Sequence, residues 1–79
     1  MPEIFKLEFE KKLFSLVAIQ KATYRLSGFF NMDVKTINNS YEITLNKNKQ
    51  TSDEGFSYAI EEFKKYVNDE QLREKLKQE

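Results

Sequence analysis

The sequence predicts an α+β fold in two layers, a three-stranded sheet beneath two helices, in the order β-α-β-β-α. Three observations carry this. Apolar and polar residues alternate in three short segments, around residues 4–9, 30–35 and 41–46. Two other segments, 16–27 and the run from residue 56 onward, repeat their apolar residues at helical spacing. Every segment shows a single apolar face, and such faces are buried by stacking one layer on another.

The first strand places Phe5, Leu7 and Phe9 on one side and Ile4, Lys6 and Glu8 on the other. The first helix opens at Ser15, whose hydroxyl suits an N-cap. Phe14 and Ile19 have the spacing of a hydrophobic staple across that start. Leu16, Ile19, Thr23 and Leu26 recur at helical intervals beside Ala18 and Ala22, and Gly28 stands where a left-handed C-cap is expected.

Two strands follow as a hairpin. Phe30, Met32 and Val34 alternate with Asn31, Asp33 and Lys35. After the turn residues Ile37-Asn38-Asn39-Ser40, Tyr41, Ile43 and Leu45 alternate with Glu42, Thr44 and Asn46. A polar loop then ends in Thr51-x-x-Glu54, the pattern of a capping box, with Ser52 and Asp53 as alternative caps. Phe56, Ala59, Ile60, Phe63, Tyr66 and Val67 form the clearest helical stripe in the chain. The rhythm slips at Asn68-Asp69, so Asp69 reads as the cap of a short final helix or as a bend.

Two sheet orders fit these elements: 1-2-3, with neighbouring parallel strands, and 1-3-2, in which the third strand lies between the others. One-sided alternation in all three strands favours the antiparallel 1-3-2 sheet with a wet face. That is a ferredoxin-like arrangement lacking its last strand, with the first strand left at an edge.

At 79 residues the chain reads as one small domain spanning 1–79, with 7 Phe and 4 Tyr to fill a small core. Its 13 basic and 13 acidic residues balance, which argues against a nucleic-acid partner. Without cysteine or histidine, the chain has no thiolate nucleophile, no Ser–His pair and no Cys- or His-based metal site. The two glycines lie far apart, so there is no phosphate-cradling loop. The carboxylates are dispersed on solvent faces and caps, where neighbouring helical residues diverge by about 100° and do not converge on one substrate atom. No cofactor, no metal and no catalytic residues are expected. The absence of a signal-peptide pattern and of a long apolar run leads us to expect a cytoplasmic chain without a membrane partner.

Several residues stand out as contacts for a partner. Tyr24 and Arg25 sit near the end of the first helix; they contact a partner or, alternatively, cover the core edge and complement the helix dipole. Phe29 faces away from Phe30 and is left on the wet face unless it remains in the helix-to-strand turn. Leu72 and Leu76 share one face, with Arg73 beside them, and either extend the packing of the second helix or form a small docking stripe.

Two segments together resemble a known family. Leu13–Phe30, LFSLVAIQKATYRLSGFF, is similar to the opening of the HxsD proteins of His-Xaa-Ser peptide systems. Glu61–Glu79, EEFKKYVNDEQLREKLKQE, resembles that family's later helix. Ser15, Ala22, Tyr24, Leu72 and Arg73 carry most of the likeness. HxsD proteins tend to continue with more helix after the Leu-Arg segment, whereas this sequence stops at Glu79. The resemblance implies an accessory protein that acts beside radical S-adenosylmethionine enzymes modifying a ribosomally made peptide. It brings no catalytic residues, and any iron–sulfur cluster would belong to the enzyme partner. The leading expectation is therefore a non-catalytic module that binds a precursor peptide, or a segment of the enzyme, by strand addition at the first strand, with Ile4, Lys6 and Glu8 on the contacted side. The alternative is a structural homodimer with no ligand.

Overall fold

The computed structural model describes residues 3–77. Strand β1 (Ile4–Glu10) leads to helix α1 (Leu16–Arg25), then strands β2 (Phe30–Ile37) and β3 (Ser40–Lys47), then helix α2 (Asp53–Lys77). The sheet is antiparallel with order β1-β3-β2, so β3 is central and β1 lies at an edge. The 1-3-2 order favoured from one-sided alternation is the one adopted.

Alternation becomes burial in β1 and β3, whereas in β2 only Phe30 is buried and Met32 partly so, and Val34, expected in the core with them, is exposed. Ile43 and Leu45 of β3 are fully buried, and Phe5, Leu7 and Phe9 of β1 pack against the same cluster. Both helices supply the opposite wall: Ala18, Ile19 and Ala22 from α1, and Phe56, Ala59, Ile60, Phe63 and Val67 from α2. Phe63 stands at the centre. Its ring lies 5.7 Å from Phe30 and 6.3 Å from Phe9, both edge-on. Edge-to-face geometry matches the positive ring edge to the negative ring face.

Caps and turns show where local signals prevailed. Ser15 Oγ accepts the Ala18 N–H at 3.1 Å and opens α1 as expected. α1 ends at Arg25, two residues before the expected end at 27. It closes through the Leu26 N–H donating to Thr23 O at 3.0 Å, not through a left-handed Gly28, and neither glycine has a positive φ. The tightened last turn already satisfies a terminal carbonyl, so no left-handed residue is needed. At α2, Ser52 provides the cap: its Oγ accepts the Gly55 N–H at 3.0 Å. Thr51 instead turns back to donate to Phe29 O at 3.0 Å, tying the α2 entry to the α1–β2 turn.

The β2–β3 loop is two residues long, because Ile37 pairs with Ser40. Asn38 takes φ 51°, the left-handed region, where an ordinary side chain costs about 1 kcal/mol and Asn or Gly does not. Asn38→Ala should therefore lower stability by about that much while Asn38→Gly stays near wild type, as read from urea midpoints.

The expected break at Asp69 does not occur, and α2 runs unbroken for 25 residues. Gln, Leu, Arg, Glu and Lys after Asp69 are good helix formers, and Asp69 itself is engaged by Arg25 and Arg73. At about 37 Å, α2 is longer than the eight-residue strands. Leu72 and Leu76 on its last turns are 59% and 63% exposed, so they do not extend the core.

Candidate partner-binding edge

The register of β1 on β3 determines which backbone groups remain open. Lys47 N–H donates to Glu3 O and Lys11 N–H donates to Asn39 O, each at 2.8 Å, at the two ends of the pairing. In an antiparallel ladder, residues facing the neighbour alternate with residues facing away. The odd-numbered residues of β1 therefore bond to β3. The Glu10 carbonyl already accepts the Leu13 and Phe14 N–H groups, each at 3.0 Å, whereas the N–H and C=O groups of Ile4, Lys6 and Glu8 point into the open edge. Among the described residues no strand pairs with them.

Beside this edge lies a groove of about 350 Å³ between β1 and the first half of α2. Ile4, Phe5, Phe56 and Ile60 give it an apolar floor, with Asp53 and Lys64 at its rim. Asp53 is bridged to Lys47 at 3.2 Å, and Lys64 both pairs with Glu61 at 3.4 Å and stands 5.6 Å from the Phe5 ring centre. The charges at the mouth are thus mutually satisfied, and the groove offers an aliphatic and aromatic surface. Such a surface beside free backbone donors and acceptors suits an extended chain, which brings both kinds of group at once.

A second cluster joins the helices. Arg25 donates from Nη2 to Glu70 Oε1 at 3.0 Å, lies 3.7 Å from Asp69 and stacks 4.7 Å above the Tyr66 ring. Arg73 approaches the same two carboxylates at 3.3 and 3.8 Å. Lys21 pairs with Glu74 at 3.2 Å, and Gln71 Oε1 accepts the Ser15 N–H at 2.7 Å. Glu70 is the only buried charged residue among those described, at 6% exposure. Its position continues the apolar stripe through Phe63 and Val67, which places a carboxylate over the core edge with Arg25 as its counter-ion.

The residues singled out from sequence therefore separate. Ile4, Lys6 and Glu8 lie together along the open edge. Arg25 and Arg73 meet in the interhelical cluster. Tyr24, 83% exposed, stands on the outer face of α1, and Leu72 and Leu76 on the outer face of α2. Phe29 lies in the α1–β2 turn, packed on the core with its ring 6.1 Å from Tyr58. Sequence reasoning missed Glu70 and the α2 side of the groove. An acid in phase with Phe63 and Val67 was a readable signal for the first. The second needed the placement of α2 beside β1.

The His-Xaa-Ser system protein HxsD family matches residues 9–79. The chain belongs to the HxsD family. No curated protein and no solved structure matches it. The HxsD match takes in α1, the β2–β3 hairpin and α2, but only Phe9 and Glu10 of β1. The interhelical cluster thus lies within the HxsD segment, while most of the open edge lies before it. Among the described residues no helix is long and apolar enough to cross a membrane.

Proposed function

We propose that this HxsD-family chain is a non-catalytic accessory module of a His-Xaa-Ser system that binds an extended partner segment by strand addition to β1. The partner is the precursor peptide of a ribosomal-peptide maturation system or a segment of its radical S-adenosylmethionine enzyme. One observation carries this reading: three β1 residues, Ile4, Lys6 and Glu8, direct unpaired backbone groups outward beside an apolar groove. Main-chain hydrogen bonds to Ile4, Lys6 and Glu8 supply affinity, and side chains of the added strand that point toward α2 enter the groove over Phe5.

Adding the precursor peptide should shift backbone amide resonances at residues 3–10 and at the groove-lining turns of α2. Shifts confined to the outer face of α2, around Leu72 and Leu76, would refute strand addition. Lys6→Pro sharpens the test. The Lys6 N–H points away from β3, so proline there removes an outward donor and leaves the internal ladder intact. Binding should weaken roughly tenfold from the lost hydrogen bond and the ring's bulk.

A further inference from the structure

The wet face of the sheet is electrostatically incomplete at β1. Glu8 is directly opposite Glu42 on β3, two like charges on one face, while Lys35 of β2 is opposite Glu42 on its other side. Lys6 is opposite Thr44. Among the described residues neither Lys6 nor Glu8 forms an ion pair. On the other edge strand Lys35 stands opposite an unlike charge, Glu42, and Asp33 accepts the Asn46 amide at 3.1 Å. The row through Glu8 lacks one positive charge, and the vacant position is beyond β1.

We infer that β1 pairs antiparallel with β1 of a second copy of this chain, in a register centred on Leu7. Three constraints select this register. The outward backbone groups belong to even-numbered residues, so even residues must face even residues across the junction. Centring on Leu7 sets Lys6 opposite Glu8 of the second copy, with backbone groups open on both, and Ile4 opposite Glu10, whose carbonyl is already taken by the Leu13 and Phe14 N–H groups; the overlap runs the length of the strand. Shifting by one allowed step sets Lys6 against Lys6, or Glu8 against Glu8, and shortens the overlap. Only the Leu7 register combines full overlap with unlike charges opposite one another, and it does so twice by symmetry. On the inner face it sets Leu7 against Leu7, and Phe5 against Phe9 of the other copy, at non-hydrogen-bonded positions where cross-strand side chains come closest. Two three-stranded sheets become one continuous sheet.

This uses the same edge as the proposed strand addition, so self-pairing and peptide binding exclude each other and the dimer is a resting form that a peptide must displace. Sedimentation of the full chain from micromolar to millimolar concentration tests it, with circular dichroism to verify that each variant is folded. The wild-type chain should dimerise. Lys6→Glu and Glu8→Lys should each weaken the dimer about tenfold or more, because both symmetric pairs become like-charged. The double variant Lys6→Glu/Glu8→Lys should restore it. An equimolar mixture of the two single variants should form a heterodimer tighter than either homodimer. A wild-type chain that stays monomeric at millimolar concentration, or a dimer indifferent to the single exchanges, overturns the inference and leaves the peptide reading standing. A charge-dependent dimer whose β1 amides never respond to the precursor peptide overturns the peptide reading alone.

Discussion

Phe63→Ala should leave the chain largely unfolded at room temperature. The side chain is fully buried and its ring bridges Phe9 on β1 and Phe30 on β2. Truncating a buried Phe costs about 3–5 kcal/mol, through lost transfer energy and the cavity left behind. A core of this size supplies a total margin of only about 3–5 kcal/mol. The two quantities match, so the folded fraction collapses. Phe63→Leu retains most of the volume and should remain folded at a cost below about 1.5 kcal/mol. Urea titration followed by far-ultraviolet circular dichroism reads both. A Phe63→Ala chain with a wild-type midpoint would show that the two layers do not depend on this ring.

Arg25→Ala is the second large effect. It removes the 3.0 Å bond to Glu70 and the stacking on Tyr66, leaving a buried carboxylate with only Arg73 at 3.8 Å. Hydrogen bonds to charged groups contribute about 1.5–3 kcal/mol, and leaving a buried charge unpaired costs more than the bond itself. Arg25 is one-third exposed, which lets water relieve part of the cost. A loss of about 2 kcal/mol is expected. Arg25→Lys should fall between, since an ammonium has neither the planar fork nor the stacking face. Arg25→Ala/Glu70→Leu should recover most of the loss, because it replaces the orphaned charge with apolar volume in phase with Phe63 and Val67. A double-mutant cycle in urea measures the coupling. Additive effects would mean that Glu70 is held by Arg73 instead.

How far the sequence was legible depended on the range of the deciding interaction. Ser15 was readable as a cap because its partner, the Ala18 N–H, is three residues away. Asp69 looked like a helix break by the same local logic, yet the helix runs through it. Its side chain is taken up by Arg25, far away in sequence, and by Arg73 one turn on. Gly28 looked like a left-handed cap, but the turn before it had already closed the helix. Glu70 was legible only as an acid in phase with Phe63 and Val67; that it is buried depends on α1 lying beside it.

Periodicity, by itself, determined the number and type of elements and which face of each is apolar, and one-sided alternation favoured the antiparallel sheet with β3 at its centre over the 1-2-3 order. Side-chain period follows from backbone geometry alone, and one-sided faces leave few ways to stack. Tertiary structure decided which β1 backbone groups stay unpaired, that Glu8 meets Glu42, that α2 walls a groove beside Phe5, and that Arg25 neutralises Glu70. Those depend on strand register and on distances between residues remote in sequence, which no local pattern encodes.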